Sequence, residues 1–258
     1  ATAASVMPGE GGPPTRIPHH PSADRVRGWT PDGDVLFMSR RQGGPRLKPQ
    51  FWTPDPDAKG LPERVSVPRA YFGTLNADGQ RLAYELVDPW DPEWRNYQGG
   101  QAQPIRILDL ETMDLTKVPW EGHRHKNPVW LGDTVYFLSE RDLAMNVWAY
   151  DTAADSLQQV TSHDTYDVKG LAAGDGLVVY EQAGYLHRYD PSSGETQQLA
   201  IEVRGDLPWT RPDWKDVRDQ VRTARLSPTG ERAVMAAPAV VITVPTEHRA
   251  LRHLTEVG

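Results

Sequence analysis

The chain has 258 residues, a net charge of −7 and no cysteine, with 38% hydrophobic residues beside 22 Gly and 23 Pro. The missing cysteine excludes disulfides, thiolate metal sites and a Cys nucleophile, and it fits a reducing compartment, so a cytoplasmic location is expected. Both charge signs are interspersed with no basic stripe, which argues against nucleic acid as a partner, and no apolar run reaches bilayer length, which argues against a membrane.

In chain order, residues 5–8 and 14–17 read as the outer two strands of a four-stranded unit whose first two strands are absent. A complete unit follows at residues 25–29, 35–39, 51–53 and 63–67, the last alternating like a half-exposed outer strand. A second unit runs over 71–118, with an inner hairpin at 72–75 and 81–84, an insertion at 88–100, and outer strands at 105–109 and 115–118. The third occupies 128–130, 134–139, 147–151 and 157–161. The fourth spans 168–201, with a tight hairpin across Gln182-Ala183-Gly184. Residues 202–218 hold two Pro and two Trp without alternation and read as a linker. One more unit lies within 219–258; its Pro238 stands where the middle turn favours Gly and is expected to weaken that hairpin.

Short turns ending in Gly punctuate these units: Thr30-Pro31-Asp32-Gly33, Asn76-Ala77-Asp78-Gly79, Leu131-Gly132, Asp175-Gly176 and Pro228-Thr229-Gly230. They return roughly every 42 to 54 residues, the period of a propeller blade. The expected fold is all-β, a β-propeller of four-stranded antiparallel blades. Nucleophile elbows, zinc-binding helices, phosphate loops and dinucleotide fingerprints are missing from the sequence, so no catalytic residue, metal or cofactor is expected.

In such blades the connection from the fourth strand to the next blade, and that between the second and third strands, emerge on one face. Here these connections hold His19-His20, Arg69-Ala70-Tyr71, His123-Arg124-His125-Lys126 and His163-Asp164-Thr165-Tyr166. The insertion adds Trp90, Trp94, Arg95 and Tyr97. The candidate peptide-binding residues are therefore His123, Arg124, His125, His163, Trp90, Trp94, Arg95 and Tyr97. Aromatic rings cover apolar side chains, and Arg or His⁺ pairs with a carboxylate. The competing reading is that the same groups bond neighbouring strands and that the two Trp plug the insertion. The histidines of this rim have no spacing that would define a metal set.

Phe37-Met38-Ser39-Arg40 and Phe137-Leu138-Ser139-Glu140-Arg141 resemble the repeats of TolB-type propellers. Three longer stretches resemble the tricorn-type serine proteases: residues 92–101 (PEWRNYQGGQ), 130–139 (WLGDTVYFLS) and 226–233 (LSPTGERA). The resemblance runs over nearly the whole chain. It implies a six-bladed propeller followed by a seven-bladed one, a PDZ-like module and a Ser/His catalytic region. On that basis residues 1–201 are later blades of the first propeller, 202–218 an inter-propeller linker, and 219–258 the first blade of the second. The catalytic residues then lie outside this stretch. The implied role is to guide or gate peptides toward a protease site elsewhere. The implied partners are peptides, the rest of its own polypeptide, and further copies in a homo-oligomer. Ala237-Pro238-Ala239 departs from the family's Gly-containing turn. Two other functions stay open: a stand-alone TolB-like binding scaffold, and the propeller gate of a prolyl-oligopeptidase-like hydrolase.

Overall fold

A computed structural model describes residues 4–17, 20–42, 48–54, 60–87, 95–202, 205, 216, 218–238, 240–248 and 250–255. It divides into two compact units, Ala1–Ala200 and Ile201–Gly258.

In the first unit, β1 (Ser5–Val6) and β2 (Thr15–Arg16) form a two-stranded antiparallel sheet. Four four-stranded meanders follow. Sheet B is β3 (Asp24–Trp29), β4 (Val35–Ser39), β5 (Gln50–Thr53) and β6 (Glu63–Arg64). Sheet C is β7 (Phe72–Leu75), β8 (Arg81–Glu85), β9 (Arg106–Asp109) and β10 (Leu115–Lys117). Sheet D is β11 (His125–Leu131), β12 (Thr134–Asp142), β13 (Ala144–Asp151) and β14 (Ser156–Gln159). Sheet E is β15 (Val168–Gly174), β16 (Leu177–Gln182), β17 (Tyr185–Asp190) and β18 (Glu195–Gln198). The first strands of successive sheets touch, β3 to β7, β7 to β11 and β11 to β15, as the inner strands of propeller blades do.

Strand burial explains the sequence pattern. Every residue of β4 is buried, whereas all of β18 is exposed. A second strand covered on both faces must be apolar at consecutive positions; an outer strand need not be. Alternate side chains of one strand therefore serve two different cores. On β8, Leu82 and Tyr84 join Leu36, Met38 and Phe51 of sheet B, while Ala83 joins Trp130, Val135 and Phe137 of sheet D. On β12, Val135 and Phe137 face sheet C, and Tyr136 and Leu138 pack with Val168, Val178 and Tyr180 of sheet E.

The repeated Ser-x-Arg ending is structural. Ser39 Oγ accepts Arg41 N–H at 3.3 Å and Nε at 3.2 Å, laying the guanidinium over the Phe37 and Trp52 rings. Ser139 and Arg141 repeat the backbone bond, and Arg141 lies 5.0 Å over Trp148. Inner strands β3, β11 and β15 each break register once, between Val26/Gly28, Lys126/Val129 and Val168/Leu171. Such bulges bend the strand and re-aim the residues at its entrance.

The second unit holds a 3₁₀ turn (Arg218–Gln220) and a four-stranded antiparallel sheet of β19 (Thr223–Leu226), β20 (Arg232–Ala237), β21 (Val240–Pro245) and β22 (Arg252–His253). The β20–β21 register continues through Ala237↔Val240, so the pairing that Pro238 was expected to weaken persists up to the turn. Most of the expected linker, residues 203–204, 206–215 and 217, lies outside the described residues.

Candidate functional site

The connections preceding the first strands and those following the second strands gather at one end of sheets C, D and E. The tail of the insertion crosses this end. Asn96, at φ 52°, donates its backbone N–H to Glu140 Oε2 at 3.1 Å, which ties the tail to sheet D. Arg95 reaches farther and pairs with Asp167 Oδ1 at 3.1 Å, in the connection leading into sheet E. Two cross-sheet contacts thus hold a segment of sheet C's insertion over its neighbours.

Each sequence-expected residue has a definite place, except Trp90 and Trp94, which lie outside the described residues. Arg95 is half-exposed beside a groove of about 570 Å³ that also contacts Tyr166, Asp167, Lys169 and Glu181. Half-buried Tyr97 lays its ring over Gly99, so a Cβ there would have to push the ring aside. His123 is half-buried, and its carbonyl accepts the Trp120 indole N–H.

Arg124 and His125 were expected on the rim surface, but the structure puts both in the interior. Arg124 is 6% exposed and faces Glu140 Oε2 at 3.6 Å, a pair buried on both sides. His125 is wholly buried because it is already the first residue of β11, paired with Ser139, with its ring 4.8 Å from Phe137. Among the described residues neither ring nitrogen has a hydrogen-bond partner. Burial, with Arg141 and His123 nearby, drives its pKa down to about 3, so the imidazole is neutral across the physiological range.

His163 bridges two sheets. Its backbone N–H donates to Asn146 Oδ1 at 2.8 Å, and its carbonyl accepts Asn146 Nδ2 at 2.9 Å. Its Nε2 lies 3.2 Å from Tyr180 Oη, and His187 stacks on the same Tyr180 ring at 5.0 Å. Desolvation, with His187 adding repulsion, lowers the His163 pKa.

Sequence reasoning missed the acids that organise this end. Glu140 and Asp167 anchor the insertion tail. Glu85 is 2% exposed at the end of β8, and its Oε1 accepts Asn127 N–H at 2.6 Å. Burial raises its pKa to about 7 despite Lys126, Arg27 and Arg124 around it. The available signal was positional: Glu85 stands opposite the first residue of β7, as Ser39 and Ser139 stand opposite the first residues of β3 and β11. Among the described residues no group of three or more His, Cys, Asp or Glu could hold a metal ion, and no helix is long and apolar enough to cross a membrane.

Residues 2–195 match the family model described as "Tricorn protease N-terminal beta propeller domain". The chain is 30% identical over 207 residues to "Tricorn protease homolog 1" of Streptomyces coelicolor, covering 78% of this chain and 19% of that protein. It is 26% identical over 211 residues to "Putative tricorn protease homolog 2" of the same organism, covering 77% and 17%. It therefore spans less than a fifth of the length of these relatives. Among solved structures, the tricorn protease superposes with a TM-score of 0.69 at 17% identity, over 99% of this chain and 25% of that one. TolB from Acinetobacter baumannii superposes with a TM-score of 0.59 at 16% identity, over 94% and 56%. Both likenesses are to β-propeller folds, in agreement with the stacked four-stranded sheets. The chain belongs to the tricorn protease N-terminal β-propeller family.

Proposed function

We propose that this chain is a non-catalytic propeller portion of a tricorn-type serine peptidase, and that its rim guides or gates peptides toward a protease site outside this chain. The observation that carries this reading is the insertion tail, anchored through Asn96–Glu140 and Arg95–Asp167 across neighbouring sheets. It leaves an open groove with both charge signs and an exposed Tyr166 ring, chemistry that suits a peptide's mixed polar and apolar surface. Arg95, Tyr97, His123 and His163 would contact the peptide, while Arg124 and His125 would support the rim from beneath. The same reading has the rest of the polypeptide as its principal partner, a homo-oligomeric parent protein and a cytoplasmic setting.

The test is binding of fluorescein-labelled peptides to the 258-residue chain, followed by anisotropy. Arg95→Gln and His163→Ala should each weaken binding several-fold, and the chain alone should cleave nothing. Unchanged affinity in both variants, or no binding by any peptide, would refute the role of the rim. Turnover by the chain alone would refute its being non-catalytic.

A further inference from the structure

A second recess lies on the same end of sheet C, nearer its outer edge. Leu86, Val87, Pro104 and Trp120 give it apolar walls, and Arg106 and Lys117 stand beside them around a space of about 220 Å³. The recess is built rather than incidental. Gln103, only 6% exposed, accepts the N–H groups of Leu86 and Val87 at 2.8 and 3.0 Å and donates to the Val87 carbonyl at 2.9 Å, which holds that wall in place. The Trp120 indole is oriented by its bond to the His123 carbonyl.

The two cations are the unusual feature. Lys117 and Arg106 are direct cross-strand partners on β10 and β9, and both line the recess. Like charges placed opposite each other on one sheet face repel. Among the described residues neither cation has an ion-pair partner; the Arg106 guanidinium makes only a 3.4 Å bond to the Pro104 carbonyl. No acidic side chain among the described residues lines the recess, although the chain as a whole carries −7. Among the described residues the recess thus sets two cations beside an apolar wall, a place suited to an anion with an apolar neighbour.

We propose that this recess binds a peptide carboxylate carried next to an apolar residue, with the carboxylate between Arg106 and Lys117 and the apolar side chain against Trp120 and Leu86. This rests on the peptide-guiding reading and names the chemistry that one part of the rim selects. The carboxylate comes from a chain terminus or from an Asp or Glu side chain, and the probes separate the two.

The experiment titrates the full chain with N-acetyl-leucine, its amide, and N-acetyl-Asp-Leu-amide, monitored by NMR of the Trp120 indole, assigned with Trp120→Phe. Inorganic phosphate is the control anion. The expected result is binding by one or both acids and none by the uncharged amide. Lys117→Gln should weaken acid binding about tenfold, the worth of one charge-assisted contact. Its thermal midpoint should hold or rise, because the substitution also removes a repulsion; a purely structural lysine would lower it. Equal binding of acid and amide, unchanged affinity in Lys117→Gln, or phosphate binding as tightly as the acids would each overturn the proposal. If labelled peptides bind the rim but the acid and amide probes do not differ, this proposal fails and the broader reading stands. If the small acids bind but no longer peptide does, the broader reading fails instead.

Discussion

Glu85→Gln tests how the junction between sheets C and D is held. The carboxyl is buried, and two effects oppose each other there. Desolvation favours the neutral acid, whereas the Asn127 N–H, Lys126, Arg27 and Arg124 favour the anion. Desolvation wins, moving the pKa from 4.5 to about 7. The folded state therefore holds a proton that the unfolded chain releases between those two values. The stability this contributes is complete below about pH 4.5 and is lost as the pH rises to about 7. The loss amounts to about 3 kcal/mol, from ~1.4 kcal/mol per pKa unit. Glutamine keeps an amide oxygen for Asn127 N–H and carries no charge at any pH. Glu85→Gln should thus match the parent near pH 5 and exceed it at pH 8 by up to about 3 kcal/mol, or about 6–12 °C in midpoint for a unit of this size. Thermal and urea unfolding at unit intervals from pH 5 to 8 measures this. A variant less stable than the parent at pH 8 would show that the three cations outweigh desolvation and stabilise the ionised carboxylate, and the argument from burial would be wrong.

Two further substitutions probe the rim and the packing beneath it. Asn146 is wholly buried; it accepts Thr161 Oγ1 at 2.9 Å and clasps the His163 backbone, so Asn146→Ala should cost about 2–4 kcal/mol and speed hydrogen exchange at residues 161–167. Exchange unchanged in that connection would show it is held by other contacts. Gly73 faces its β8 partners so closely that a Cβ would sit 2.5 Å from the Ala83 carbonyl oxygen and 2.7 Å from Tyr84 Cβ. Gly73→Ala should therefore destabilise by about 1–3 kcal/mol in urea unfolding, and a neutral result would mean that β7 moves away at little cost.

The repeat was legible because its causes are local. A Gly at positive φ closes Asn76–Gly79 and Ser227–Gly230, and Ala183-Gly184, both at positive φ, make the two-residue turn between Gln182 and Tyr185. The consecutive apolar residues of β4 and β12 record burial on both faces, which a strand inside a stacked blade requires and the outermost strand, such as the exposed β18, does not. The recurring Ser39 and Ser139 endings were visible as a repeat, and the structure gives their meaning, a short-range bond to the Arg two residues on plus a stack on the adjoining strand. The turns and the Ser–Arg bonds depend on residues close in sequence or on one neighbouring strand, and the apolar runs record in composition what the packing of adjacent sheets requires.

The site was legible only as a list of connections that share a face. Which of them meet depends on contacts between sheets. Arg95 and Asp167 are separated by a whole intervening sheet in the sequence, and they touch because the insertion folds back over it. His123 and His125 look equivalent in the sequence; a two-residue difference in where β11 begins leaves one at the rim and buries the other against Phe137. The charge state of Glu85 is set by how completely the folded chain excludes water from it. Strand periodicity and turn chemistry act through neighbouring residues, so the chain alone determines them. Burial, ion pairing and the recess at Arg106 and Lys117 arise only when distant segments displace water from the same place, and that was decided by the tertiary structure.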